Sequence, residues 1–191
     1  MNNLNGIVLS RIERLIEESD YLSRYRSGIY SSVTLDPTGL QKLWTYLNNV
    51  GLPMQYITNA HITVMYSRSR PTREPVAKDI SGYVRPKGFG LFGKGNKDEP
   101  YVLVLELISP ELVKAHMEFR KMGIQPTHKE YKPHLTLVLD INRLMPGLKH
   151  LSEKKKENLM NIFNKMIPEL PQKIKIQRHT VEPLRKSDRS R

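Results

Sequence analysis

His61-Ile62-Thr63-Val64 and His134-Leu135-Thr136-Leu137 are one phrase written twice, 73 residues apart. Working outward from each copy, the same punctuation returns. Asp36-Pro37 precedes the first phrase and Ser109-Pro110 the second, and both prolines stand 24 residues before their histidine. Between proline and histidine, each copy carries a stretch that stops at a glycine followed by an aliphatic residue, Gly51-Leu52 and Gly123-Ile124. An Asp or Ser cap, a proline at the first helical position and a glycine just past the last turn delimit a helix. The chain therefore reads as two strand–helix–strand units, with strands over 28–35 and 60–67 in the first and over 101–107 and 133–140 in the second.

Within the first helix Leu40, Leu43, Trp44 and Leu47 make an apolar stripe. In the strands, parity decides what faces where. Strict alternation puts His61, Thr63 and Met65 on one face and Ile62, Val64 and Tyr66 on the other. It likewise separates His134, Thr136 and Val138 from Leu135, Leu137 and Leu139. One face packs and the other offers polar groups.

Outside the units, residues 6–25 read as a helix with Leu9, Ile12, Leu15, Ile16 and Leu22 near one face. Residues 68–99 are the least regular part, with a strand near 79–86 followed by a mobile Gly/Lys-rich hairpin loop near the site. Gly88-Phe89-Gly90-Leu91-Phe92-Gly93 matches the G-x-G-x-x-G pattern. A dinucleotide fold is rejected, because Lys94-Gly95-Asn96-Lys97 cannot open the helix whose N-terminus holds the pyrophosphate. Residues 152–165 read as a third helix and 173–182 as a last strand, with Pro168 and Pro171 between them. The organisation is then an N-terminal helical extension over 1–27, one domain over 28–184 and a disordered basic tail over 185–191.

The chain has 191 residues, enough for one sizeable core, and no cysteine, which removes disulfides, thiolate nucleophiles and Cys-based metal sites. A net charge of +12 points to an anionic partner, or in the plainer reading to solvated surface at Lys154–Lys156 and in the tail. No apolar run is long enough to span a membrane and no secretory leader is visible, which predicts a cytoplasmic protein without a membrane partner.

Taken singly, either His-x-Thr is a partly buried histidine and a β-forming threonine. As a matched pair in register with a repeat, they point to chemistry. Imidazole exchanges a proton near neutrality, so two of them across a phosphodiester can serve as base and acid. Thr63 and Thr136, on the same faces as His61 and His134, are placed to donate hydrogen bonds to the non-bridging oxygens. A ribose 2′-OH would be the internal nucleophile, leaving a 2′,3′-cyclic phosphate. No cofactor is required. No metal site is expected, since neither strand carries a carboxylate at ligand spacing, and no G-x-S-x-G elbow exists. Tyr30 and Tyr131 are candidates for stacking on a base, and Glu182 for accepting from a base edge. His116 reads as a packing residue, and His128, His150 and His179 have no partner motif.

Paired His-x-Thr motifs in duplicated halves resemble the 2H phosphoesterase superfamily. Gly28-Ile29-Tyr30, His61-Ile-Thr63-Val-Met-Tyr66-Ser67-Arg68 and Tyr131-Lys-Pro133-His134-Leu-Thr136 are similar to the landmarks of the phage anti-CBASS nucleases. The resemblance covers about residues 28–184. It implies an α+β, bilobal 2H phosphoesterase fold, with two pseudo-symmetric strand–helix–strand lobes whose antiparallel sheets line a central groove. It also implies metal-independent degradation of cyclic di- and trinucleotide signals such as 3′,3′-cyclic GMP–AMP, in the host cytoplasm, with His61, Thr63, His134 and Thr136 as the catalytic set. Tyr30 and Glu182 would contact the nucleotide. The N-terminal extension and 141–172 depart from the family pattern, and no counterpart of the family's C-terminal aromatic contact is evident. Two other readings stand beside it: an RNA-end 2′,3′-cyclic phosphodiesterase or 2′–5′ ligase-like enzyme acting on RNA, and a non-catalytic basic nucleotide-binding protein. Oligomeric state is open.

Overall fold

In the computed structural model, which describes residues 24–52, 60–146 and 151–184, both repeats take the predicted form. The first is strand β1 (Ile29–Leu35), helix α1 (Pro37–Asn49) and strand β2 (His61–Ser67). Strand β3 (Tyr83–Phe92) follows. The second repeat is β4 (Val102–Ile108), helix α2 (Pro110–Lys121) and β5 (His134–Val138). Helix α3 (Glu153–Asn164) and strand β6 (Ile174–Pro183) complete the described chain. The helix starts work as the sequence requires: the Asp36 carboxylate accepts from Gly39 N, and Ser109 Oγ accepts from Leu112 N. Gly51 and Gly123 end the two helices at φ of +85° and +82°, the left-handed turn that a side chain would strain.

The strands form one six-stranded sheet in the order β2-β1-β6-β3-β4-β5, antiparallel throughout. Exchanging β1 with β4, β2 with β5 and β6 with β3 gives the same order read from the opposite edge, so the repeat in sequence is a repeat in topology. The halves are joined at a short seam, where β3 and β6 pair only through Tyr83 with Lys175 and Val84 with Ile174. The edge strands β2 and β5 nevertheless approach each other, so the sheet curls. Leu43, Trp44 and Leu47 of α1 and Leu112 and Phe119 of α2 bury against the sheet. Each such side chain contributes about 2 kcal/mol on transfer from water.

Strict alternation fails at the same place in both repeats. Ser32 pairs with Thr63 but Ser31 with Met65, leaving Val64 as an extra residue, and Val104 pairs with Thr136 but Leu103 with Val138, leaving Leu137 extra. A β-bulge thus follows each His-x-Thr, and the faces swap beyond it. Met65 and Val138, expected beside the histidines, are buried at 1% and 3% exposure, and Leu139, expected in the core, is 54% exposed. Tyr66 turns to the side that Thr63 faces.

A second correction concerns 79–99. The strand runs later than 79–86, and Gly88 and Gly90 lie inside β3 rather than in a loop. They are clearance for neighbours, since a Cβ on Gly90 would stand 3.0 Å from Glu106 Oε1 and 3.3 Å from Val104 Cγ2. The connecting turn is gathered on one acceptor: Lys94, Gly95 and Asn96 all donate their N–H to Glu99 O. No helix follows, so the nucleotide-loop match is fortuitous. The N-terminal helix expected over 6–25, apart from its last two residues, and the basic tail lie outside the described residues. Among those described, no helix is long and apolar enough to cross a membrane.

The strap between β2 and β3 is tied down by Thr72 Oγ1 donating to Met122 O, by Lys78 Nζ on Glu118 at 2.9 Å, and by His179 of β6. His179 Nδ1 donates to Lys78 O at 2.8 Å, which leaves Nε2 to accept from the buried Ser31 hydroxyl at 2.7 Å. Burial lowers the pKa of His179, and of His116, below the ordinary histidine value. The unfolded chain therefore binds these protons first as pH falls below about 6.5, and stability is lost there. Melting temperature is expected to fall between pH 7.5 and 5, and His179→Gln should flatten that fall. A profile for the variant identical to wild type would contradict the assignment.

Candidate active site

The first motif faces the open side of β2. His61 stands across from Thr34 and Thr63 across from Ser32. Tyr30, on β1, reaches both: its hydroxyl lies 3.3 Å from Thr63 Oγ1 and its ring meets His61 edge-on, with centroids 5.9 Å apart. Glu182 is directly across from Tyr30 on β6, so the two side chains share a face. Ser32 Oγ and Thr180 Oγ1, 3.3 Å apart, continue the polar row.

The second motif enters from β5. His134 Nδ1 lies 2.7 Å from Lys132 O. A carbonyl only accepts, so Nδ1 carries the hydrogen and Nε2 keeps its lone pair free for proton transfer. Burial pulls the His134 pKa down; the Lys132 carbonyl and the Glu106 carboxylate oppose that, and His128 adds to it. Glu106 is the cross-strand partner of His134, and Lys87 Nζ lies 3.3 Å from its carboxylate. Phe92, the last residue of β3, meets the His134 ring edge-on at 4.8 Å.

One cavity of about 410 Å³ joins the two motifs, with Thr63 and Tyr66 on one side and His134, Phe92 and Tyr131 on the other. His61 and Thr136 are not among its lining residues; each lies on the same face as the lining member of its own motif. Tyr131 is less free than its sequence position suggests. Its hydroxyl donates to Thr63 O at 3.1 Å, and its ring stacks on His116 with centroids 4.2 Å apart and planes 1° from parallel. Burial raises its pKa, so it stays a donor. His116, read as a packing residue, is buried at 5% exposure and also lines the cavity. Its Nδ1 donates to Val64 O at 2.8 Å.

Phe92 and Glu106 carry no signal as site residues in the sequence, alternation puts Tyr66 on the packing face, and His128 reads as a histidine without a partner motif. Glu106 becomes visible only through the β4–β5 register, and Tyr66 only through the bulge. His128 carried no signal beyond being a histidine. Among the described residues, no group of three His, Asp or Glu side chains is arranged to hold a metal ion.

A family model described as Anti-CBASS protein Acb1 matches residues 27–186, and the chain belongs to that family. No curated protein matches it.

The contacts that hold β2 are open to test. Tyr131→Phe should cost about 1 kcal/mol through the orphaned Thr63 carbonyl, and His116→Ala about 2 kcal/mol through Val64 O and the lost stack. Because the rings touch, a cycle of Tyr131→Ala with His116→Ala should depart from additivity by at least about 0.5 kcal/mol in urea denaturation. Strict additivity would mean that the two contacts are independent.

Proposed function

We propose that this member of the anti-CBASS Acb1 family is a metal-independent phosphodiesterase of the 2H superfamily that degrades cyclic di- and trinucleotide signals, so that a phage escapes CBASS defence. The observation that carries the reading is the shared cavity, which has Thr63 of one motif and His134 of the other on its walls. The catalytic domain is 28–184, with 1–27 an extension and 185–191 a tail. The two halves of the palindromic sheet are the two lobes of that superfamily's fold.

His134 is the base for the first step. Burial keeps it neutral at physiological pH, and its Nε2 is free. It takes the proton of a ribose 2′-OH as that oxygen bonds to phosphorus. The P–O5′ bond breaks, and His61 gives a proton to the departing 5′ oxygen. Thr63 and Thr136 donate to the non-bridging oxygens while charge builds there. Tyr30 orients the first pair through its contacts with Thr63 and His61. The product is a linear nucleotide ending in a 2′,3′-cyclic phosphate and a 5′-OH; water then opens the ring with the two histidines in exchanged roles. Phe92, Tyr66 and Tyr131 supply the apolar walls for a base, and Glu182 stands beside Tyr30 as an acceptor for its edge.

Incubation with 3′,3′-cyclic GMP–AMP in excess EDTA should yield the linear dinucleotide, and His61→Ala and His134→Ala should each lower turnover at least a hundredfold. Cleavage confined to an RNA bearing a 2′,3′-cyclic end would move the substrate to RNA ends. Full turnover by both variants would remove the assignment.

The base also has a pH signature. The Glu106 charge raises the His134 pKa, so Glu106→Gln should lower it further. The acid limb of kcat/KM, where His134 must lose its proton to act, should then shift to lower pH. A shift upward, or none, would show that His134 is not the base.

A further inference from the structure

The net charge of +12 is unexplained by the site just described, and the sheet's register shows where part of it gathers. His61 pairs with Thr34, and Thr34 with Arg178 of β6. Beyond the irregularity there, Leu35 pairs with Ile176, which is buried at 3% exposure, so Lys175 returns to the face of Arg178. Lys175 pairs across the seam with Tyr83, and Arg85 is two residues along from Tyr83. These four side chains thus stand on the two central strands, on the face that carries His61. All four are exposed, Tyr83 at 51%.

We propose that this bare central face is a second subsite for an oligonucleotide, in which Arg178, Lys175 and Arg85 take phosphates beyond the scissile one and Tyr83 stacks on a base. The proposal rests on the phosphodiesterase reading for the identity of the scissile phosphate, but not for the binding itself.

Among the described residues five lysines are matched with carboxylates, as in Lys78–Glu118, Lys87–Glu106, Lys94–Glu99 and Lys156–Glu153, while others such as Lys114 and Lys165 are solvated without one. What sets the central face apart is the open ring among its cations. Here the cross-strand partners are Thr34, Tyr83 and Ile108, and none of the three cations has an ion pair among the described residues. An aromatic ring left half open in mid-sheet beside uncompensated cations is how single strands are held, by stacking plus backbone charge. The spacing suits it. Arg178 is two strands from His61, roughly 10 Å, and Lys175 lies roughly another 10 Å along β6. A cyclic nucleotide seated on the histidines reaches Arg178 with its next phosphate, and a longer ring or strand reaches Lys175 and Tyr83.

The test uses the full chain carrying His61→Ala, so that nothing turns over, and a fluorescent single-stranded RNA of eight nucleotides. Adding Arg85→Glu, Lys175→Glu and Arg178→Glu together should weaken binding more than tenfold. The slope of log affinity against log salt should fall by about two. Tyr83→Ala alone should weaken binding about tenfold, and Tyr83→Phe should restore it. The neutral Gln series should give an intermediate loss, which separates charge from misfolding. Affinity unchanged within twofold by the reversal, or equal affinity of the parent for vesicles of anionic lipid, would overturn the proposal. In the catalytically intact chain the reversal should raise KM for a cyclic trinucleotide while kcat holds. Loss of RNA binding without any turnover by the parent enzyme would sink the phosphodiesterase reading and leave the subsite standing.

Discussion

The structure depends on how the free edge of β2 is closed. An edge strand presents carbonyls with no ladder partner, and in water-excluding surroundings each costs free energy until a donor arrives. Three donors come to this edge, all from the second repeat: Tyr131 Oη to Thr63 O, His116 Nδ1 to Val64 O, and Thr127 N to Tyr66 O. The seam between β3 and β6 joins the halves at one side of the sheet, and these three bonds join them at the other. The cavity lies where they do. A loss here would loosen the spacing between Thr63 and His134 before it unfolded either half, because each half keeps its own helix and ladder.

The bulges at Val64 and Leu137 are part of the same device. A regular strand would send Tyr66 into the core and leave the carbonyls of residues 63 and 64 on opposite edges. The extra residue lets both of those carbonyls accept bonds from the second repeat, and it turns Tyr66 into the cavity. That the irregularity occurs after both threonines ties it to the motif rather than to local accident. The extra residues themselves are core residues, with Val64 buried at 0% and Leu137 at 1% exposure.

Much of this was legible beforehand, for identifiable reasons. Pro37, Pro110, Gly51 and Gly123 act through their own backbone dihedrals, so their effect does not wait on tertiary context, and both helices lie where they say. His61 with Thr63 and His134 with Thr136 needed only strand parity over two residues. Parity over four residues failed, because a bulge depends on what the neighbouring strand and the free edge demand. Gly88 and Gly90 misled for a related reason. A glycine that makes room for Glu106 and Val104 looks, in one dimension, like a glycine that makes a turn. Tyr131 was placed beside the site by its nearness to His134, but that its hydroxyl serves Thr63 is a contact across 68 residues that no local pattern encodes.

For the proposed acid–base mechanism, the pseudo-twofold frame raises a chemical problem. Acid–base catalysis needs two groups in opposite protonation states, whereas a symmetric frame tends to give them equal ones. Here the frame is symmetric in topology and in its bulges, but not in what stands across from each histidine. Thr34 faces His61 and Glu106 faces His134. Phe92 closes over the second ring and the Lys132 carbonyl fixes its tautomer, while the first ring meets Tyr30, whose hydroxyl is already near Thr63 Oγ1. Burial and Glu106 pull the His134 pKa in opposite directions, and burial wins. On the proposed mechanism, a carboxylate that tempers this shift suits the part of general base given to His134. The two motif positions are alike in topology, and their neighbours are not.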